Sequence, residues 1–466
     1  MNQPSIRTKG LRTKALAEWA AKSTYADFPK TTTNHAKSLL LKTFTGMLVG
    51  SREPISKILS TYYAEQGGTP DAGIAASGYR TSVENAAFAN ATFAHASELE
   101  DNELPSITSD YWMFPALFTL AQKQFSSGKE LIGAAIVSWE VASRFCRAGP
   151  GWMLMAVHIC PPSWFGPLGV AAGCSSLLKL DAGRTEHAMN MAGSSASGLG
   201  QAGCDQHFLE SGHSCKMGLQ SALLAKVGAT SEIGVLEADN ALWVPIGAAK
   251  GTVDLSIIDA GLGHAPYSIE QACIKKYSAC TYTHPALDAV GLIVKEQGLS
   301  YDDIDYVEDH MGAGGMDFIG SHPDPVDLQE ARFSIEYLMA ELMLHGSISV
   351  HTFEDTNKLT DPKHIEAKGK VRKFLHPEIP YASPGAEVVV ATKKGKKYTK
   401  RLNLCVGSPE TPMSFDEVRA VCRPYLEVML NKEQCDRVEE IMTNLENQPD
   451  IQELMDILTF ARVGRR

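Results

Sequence analysis

The stretch "AEVVVATKKGKKYTKRLNLCVG" (Ala386–Gly407) decides the fold class, because it breaks a helical texture that holds for most of the chain before it. Its two halves alternate in the manner of β-strands, and Lys394-Gly395 joins them as a turn. Working outward, "DIDYVEDHMG" (Asp303–Gly312) alternates in the same way, and "SIEQACIKKYSACTYTHPALDAVGLIVKEQ" (Ser268–Gln297) ends an extended segment and opens a helix at Pro285. Further upstream the periodicity changes. In "NHAKSLLLKTFTGMLVG" (Asn34–Gly50) Ala36, Leu39, Leu40, Phe44 and Met47 share one helical face. "GKELIGAAIVSWEVASRFCRA" (Gly128–Ala148) repeats the pattern with Leu131, Ala135, Ala142 and Cys146. The segments "GPLGVAAGCSSLLKL", "RTEHAMNMAGSSASGLG" and "GHSCKMGLQSALLAKVGA" are rich in Gly, Ala and Ser, which lets helix backbones approach closely and predicts a tight bundle rather than linkers. After Gly407 "SFDE" (Ser414–Glu417) is a capping box that opens the last helices. The reading is therefore a mainly α protein with an inserted α+β domain: residues 12–265 and 408–466 form one all-helical domain, and 266–407 a smaller α+β domain.

The chain has 466 residues, enough for more than one packed unit. Its formal net charge is −11, and apart from a short basic cluster from Lys393 to Arg401 it carries no basic stripe, which excludes nucleic acid as the expected partner. No uninterrupted apolar run is long enough to span a bilayer. Ten cysteines in a chain of this length, with no Cys-x-x-Cys pair, make neither a disulfide scaffold nor a structural zinc site, and a cytoplasmic location is expected. The basic N-terminus "MNQPSIRTKGLRTK" lacks the apolar core of a secretory signal. "GAGGMDFIG" (Gly312–Gly320) lacks the strand-then-helix setting of a dinucleotide fingerprint, so no cofactor is expected from it.

One stretch carries an unusual density of chemistry. "FAHASELEDNELPS" (Phe93–Ser106) crowds a histidine, carboxylates and an asparagine behind an alanine-rich run. On a continuous helix His95, Glu98 and Asn102 would fall at i, i+3 and i+7, on one face, with Glu100 and Glu103 pointing elsewhere. A solvated helix end is the plainer reading of such a cluster. His95, Glu98 and Asp101 are metal-ligand types, but without a second histidine at i+4 no metal is expected.

Six segments in order, "NATFAHASELEDNE", "PPSWFGPLGVAAG", "NMAGSSASGLG", "KKYSACTYTHPALDA", "DLQEARFSIEYLMA" and "VGSPETPMSFDEV", make the chain similar to the MmgE/PrpD family from about Leu16 to about Phe460. That family includes 2-methylcitrate dehydratase, cis-aconitate decarboxylase and iminodisuccinate epimerase. The resemblance implies a large all-α domain built from N- and C-terminal segments, an inserted α+β domain, a homodimer, and an interdomain cleft that holds small polycarboxylates without metal or organic cofactor. The shared chemistry is a proton moved at a carbon beside a carboxylate, which requires a base, an acid and donors for developing negative charge.

Laid on the decarboxylase pattern, Glu98 takes the place of an active-site Asp and Asn102 that of a Thr. Thr108 and Cys160 replace histidines, with His158 two residues before Cys160 as a substitute. His207 stands at a lysine position, with Glu210 where the family often has His. Cys280 stands at a histidine position, while Lys276, Tyr282 and His284 keep the family's appearance. Fewer cations at the site point to a substrate with fewer carboxylates than cis-aconitate.

The leading expectation is a cofactor-independent lyase, a dehydratase or decarboxylase of the MmgE/PrpD type, acting on a small di- or tricarboxylate. His207 is the expected base, Glu98 and Asn102 orient or protonate the departing group, and Tyr282 is a candidate acid. His95, Thr108, His158, Lys276 and His284 are candidates for substrate binding. An isomerase or epimerase using Cys160, Cys280 or His207 as acid and base is the nearest alternative. A non-catalytic dimeric binding protein is the third. Free cysteines and lone histidines are also common as inert core groups.

Overall fold

The computed structural model describes residues 12–104, 106–149, 154, 159–200, 205–238, 241–243 and 253–461. They divide into two compact units, one of residues up to Ala272 together with those from Ser414 on, the other of Cys273–Met413. The change of texture in the sequence, at 266 and 407, precedes both structural boundaries. Residues 268–271 still belong to the helical unit because Ser268 N–H donates to Glu140 and Glu270 accepts from Thr32 Oγ1 at 2.5 Å. Residues 408–411 fold back within the smaller unit, where Gly407 N–H donates to Thr411 O and Thr411 Oγ1 to Cys405 O.

The helical unit begins with α1 (Arg12–Lys22), α2 (Lys30–Gly50), α3 (Pro54–Gln66), α4 (Val83–Ala96), α5 (Phe114–Gln124), α6 (Gly128–Ala148), α7 (Pro161–Leu177), α8 (Ala182–Ser194) and α9 (Asp205–Lys226). Two two-residue hairpins accompany them: β1 (Ala72–Gly73) with β2 (Arg80–Thr81), and β3 (Asn102–Glu103) with β4 (Thr108–Ser109). Starts are chemically marked. Ser82 caps α4, Asp181 caps α8, and Ser127 with Glu130 makes a capping box for α6. The helices α4, α6, α7, α8 and α9 pack on one another at short range, and the small residues explain how. A Cβ on Gly218 of α9 would lie 2.4 Å from Val170 Cβ and 2.5 Å from the Pro167 carbonyl oxygen of α7, so these two helices meet only where a side chain is absent. The core of the unit is aliphatic and aromatic, with Phe44, Phe114, Phe118, Trp139 and Phe145 fully buried, each contributing about 2–3 kcal/mol by removal from water.

The two-residue strand β5 (Ala272–Cys273) marks the passage from one unit to the other. The smaller unit then holds α10 (His284–Gln297), β6 (Ile304–Met311), α11 (Ala313–Phe318), α12 (Leu328–Ala331), α13 (Ile335–His345), α14 (Pro362–Lys368), β7 (Val371–Leu375), β8 (Ala386–Thr392) and β9 (Lys397–Leu402). The four longer strands form one sheet in the order β7-β6-β8-β9, parallel between β6 and β7 and antiparallel elsewhere. The β8–β9 hairpin closes through Gly395, whose φ of +79° is the left-handed conformation that glycine takes freely. Val388 and Val390 of β8 are buried with Val307 of β6, and α10 lies against β8 and β9. From Ser414, where Ser414 and Glu417 make a capping box, α15 (Phe415–Glu427), α16 (Lys432–Thr443) and α17 (Gln452–Phe460) belong to the helical unit. Among the described residues no helix is long and apolar enough to cross a membrane.

Candidate functional site

Within the helical unit the last turn of α4 and the first turn of α9 meet. His95 is buried in the last turn of α4, and there the helix ends: Ser97 Oγ donates to Ala94 O at 2.6 Å and Glu98 N–H to His95 O at 3.0 Å. Glu98 has a φ of +54°, a left-handed backbone that a residue with a Cβ rarely adopts. The continuous helical face expected for His95, Glu98 and Asn102 is thus corrected. The chain turns at Glu98, and Asn102 sits on β3, paired with Ser109 of β4. The turn is fixed from below by Asp110, whose carboxylate accepts from Asp101 N–H at 2.9 Å and from Thr43 Oγ1 at 2.7 Å. Burial, and next the Asp101 carboxylate, push the Asp110 carboxyl well above the usual range. Lys42 from α2 stands 3.8 Å from Asp101 in the same buried cluster. Glu103, also pushed up by burial, holds the other end of the hairpin by accepting from Trp139 Nε1 at 3.0 Å and pairing with Arg147.

The helix α9 brings His207 to this turn. Its approach to α4 depends on Gly212, where a Cβ would lie 2.6 Å from Thr92 Oγ1 and 2.9 Å from the Phe88 carbonyl oxygen, and is fixed by Ser211 Oγ donating to Ala91 O at 2.9 Å. As a result His207 Nε2 stands 3.7 Å from Glu98 Oε1, an ion-pair distance, and the rings of His95 and His207 lie 4.2 Å apart. His95 packs on Trp112 at 4.0 Å and on Phe208 at 5.4 Å, and His207 on Phe208 at 5.5 Å, so the two imidazoles share an aromatic surround. One ligand atom from each of His95, Glu98 and His207 lies within 4.8 Å of the others.

A line of polar groups continues from Trp112. Its indole N–H donates to Ser163 Oγ at 3.0 Å, Ser163 Oγ donates to Glu210 Oε2 at 3.4 Å, and Glu210 Oε1 accepts from Leu199 N–H at 3.0 Å. Cys160, at the N-cap of α7, reaches the same Glu210 carboxylate. Burial, and then the Glu210 charge, push the Cys160 thiol up, which opposes a resting thiolate. Burial also raises the Glu210 carboxyl. Thr108 on β4 hydrogen-bonds with Ser106 Oγ at 3.1 Å and, with Trp112, Pro161 and Phe165, borders an apolar gap too small for a water molecule. His158 lies outside the described residues.

The other candidates sit in the smaller unit. Tyr277 N–H donates to His284 Nε2 at 3.3 Å, which places the proton on Nδ1, 3.1 Å from Cys280 O, so both ring nitrogens serve the backbone. Lys276 Nζ pairs with Asp288 Oδ1 at 2.8 Å, and the same carboxylate accepts from Tyr277 OH and Val406 N–H. Tyr282 donates to Tyr381 O at 3.1 Å, and burial raises its phenol, keeping it a neutral donor. Cys280 is half-buried, and its N–H donates to Arg332 O at 3.0 Å.

Sequence reasoning named His95, Glu98 and His207 separately and missed their convergence. It did not single out Trp112, Ser163 or Asp110. The neighbouring "PPSW" and the small residues of α9 were the only local signals, and neither specifies which side chains meet.

The fold defines the class: a helical unit assembled from both ends of the chain, carrying an α+β insertion, with an imidazole–carboxylate cluster in its interior. The models of the MmgE/PrpD N-terminal domain and the MmgE/PrpD C-terminal domain match residues 14–246 and 277–447, and the chain belongs to the MmgE/PrpD family. It is 24% identical over 444 residues to a human cis-aconitate decarboxylase, covering 91% of this chain and 89% of that one. It is 25% identical over 390 residues to the mouse cis-aconitate decarboxylase, covering 80% and 78%. A cis-aconitate decarboxylase-like protein of Aspergillus oryzae is 23% identical, over 97% of this chain and 98% of its own length.

Proposed function

We propose that this protein is a lyase that moves a proton at the carbon next to a carboxylate of a small di- or tricarboxylate, with loss of water or carbon dioxide. His207 is the base: in a dehydration it takes the proton from that carbon, and its imidazolium returns it to the departing hydroxyl, which leaves as water. In a decarboxylation the imidazolium gives its proton to the carbon from which carbon dioxide leaves, and Glu98 stabilises the imidazolium in both cases. The observation that carries the reading is the 3.7 Å approach of His207 Nε2 to Glu98 Oε1 beside His95, in a chain of a family whose relatives include cis-aconitate decarboxylases. Burial strengthens that electrostatic support, since the same charge separation in water is screened. The amide of Asn102, on the adjoining hairpin, supplies a neutral donor for an oxygen of the substrate. An epimerase that relies on a Cys160 thiolate has less support, because burial and Glu210 both oppose that thiolate.

The test is proton NMR in heavy water with citrate, 2-methylcitrate, cis-aconitate, malate and aspartate-derived dicarboxylates, comparing the wild type with His207→Ala. A product signal that depends on His207 supports the lyase. Deuterium entering a C–H bond without a new product favours the epimerase. Full turnover in His207→Ala removes His207 as the base.

A further inference from the structure

We propose that His95, Glu98 and His207 form a binding site for one divalent cation of the zinc, cobalt or nickel type, and that the bound ion switches off proton transfer. The first half rests on geometry alone; the second rests on the reading of His207 as the base. Three side chains from two elements, the α4 terminus and the α9 first turn, bring two imidazoles and one carboxylate within 4.8 Å of one another. An ion bound at about 2.0–2.1 Å in tetrahedral geometry sets its ligand atoms roughly 3.3 Å apart. The Glu98–His207 pair, at 3.7 Å, is already close to that spacing, and rotation of the side chains closes the widest pair by about 1.5 Å.

The donor set also selects the ion. Two imidazoles suit zinc, cobalt and nickel, whereas magnesium and calcium prefer all-oxygen sites. One carboxylate leaves the complex with a net charge of +1, and three protein ligands leave a position open for water or a substrate carboxylate. Access is from the His207 side, whose side chain is 17% exposed while that of Glu98 is 2% exposed. The ring of His95 packs on Trp112, itself held by the Ser163 hydrogen bond, which keeps the imidazole beside the other two ligands. The sequence concealed the site because the second histidine lies on a distant helix rather than at i+4.

The consequence for catalysis follows from electron pairs. The Nε2 lone pair of His207 can form a bond to a metal ion or accept a proton, but not both. An ion in this position therefore also neutralises the Glu98 charge that supports the protonated imidazole.

The experiment uses the full chain, freed of metal with EDTA and dialysed, and titrated calorimetrically with zinc chloride without substrate. One ion per chain is expected, with affinity lowered about tenfold or more in Glu98→Gln and in His207→Asn. Circular dichroism shows that each variant is folded. As a second reading, cobalt(II) added to the wild type gives visible d–d bands whose intensity and position change in both variants. Absence of saturable zinc binding at micromolar concentrations, or affinity unchanged in both folded variants, overturns the site. With a turned-over substrate in hand, zinc abolishes turnover and EDTA restores it; full turnover in the zinc-saturated protein overturns the switch. Binding is read without substrate, so a failure of the lyase reading leaves this result standing by itself.

Discussion

Replacing Gly50 by alanine tests whether the turn that carries His95 is set by a backbone contact. Gly50 ends α2 against the last turn of α4, and a Cβ there would lie 1.7 Å from the Phe93 carbonyl oxygen, 2.6 Å from its carbon and 3.3 Å from Ser97 N. A carbon–oxygen contact of about 3.3 Å is the nearest comfortable distance, so the turn has to move by about 1.6 Å. The obstacle is backbone, which cannot rotate away, and the cost belongs at the upper end of overpacking, about 3 kcal/mol. Alanine returns up to about 1 kcal/mol of helix propensity, leaving a net loss of about 2 kcal/mol. For the helical unit, which spans most of the chain, that lowers Tm by roughly 3 °C. Gly291 is the internal control: it lies inside α10 with nothing within 4 Å of the added Cβ, so Gly291→Ala gains up to about 1 kcal/mol. Differential scanning calorimetry of the two variants beside the wild type reads both signs. A Gly50→Ala protein that melts with or above the wild type, or a Gly291→Ala protein that falls as far, refutes the argument.

Three further outcomes follow from the same structure. Burial, followed by the Glu336 carboxylate, raises the Asp309 carboxyl from 3.8 to about 7 in the folded protein. The unfolded chain releases that proton first, so stability is lost as pH rises from about 4 to about 7 and is level above, with a ceiling of about 4 kcal/mol. Asp309→Asn flattens this slope in urea melts taken across that range; an unchanged slope rejects it. Gly218→Ala, whose Cβ would meet Val170 and the Pro167 carbonyl, destabilises the helical unit by about 1–3 kcal/mol in urea. Iodoacetamide labels Cys280, half-buried, well before Cys160, whose thiol is buried beside Glu210; mass spectrometry of the labelled peptides reads the order, and early labelling of Cys160 counts against its environment as described.

What the sequence disclosed, and what it withheld, divides along the range of the interaction. Helix periodicity, the Lys394-Gly395 turn and the Ser414–Glu417 capping box are local, each set by residues a few positions apart, and were legible. The end of α4 was not. Alanine-rich sequence up to Ala96 favours continuing the helix, and Glu98 has no propensity for the left-handed turn it makes. That conformation is imposed by Asp110 bonding Asp101 and Thr43 from elsewhere in the chain. The meeting of His95 with His207 depends on Gly212, which lets α9 approach α4; a glycine there is visible in the sequence, but the helix it admits is not. In the smaller unit, "KKYSACTYTHPALDA" gave residue types but not partners, and the structure joins Lys276 to Asp288 and His284 to the backbone.

The central claim is that His207 and Glu98 act as one proton-transfer unit, and a double-mutant cycle tests it most directly. With the substrate found by NMR, kcat/KM is measured for the wild type, His207→Ala, Glu98→Gln and the double variant. If the carboxylate works only through the imidazole, the double variant is no slower than His207→Ala alone, so the effects are strongly non-additive. Losses that multiply, each variant slowing the other's background by its full factor, contradict the account.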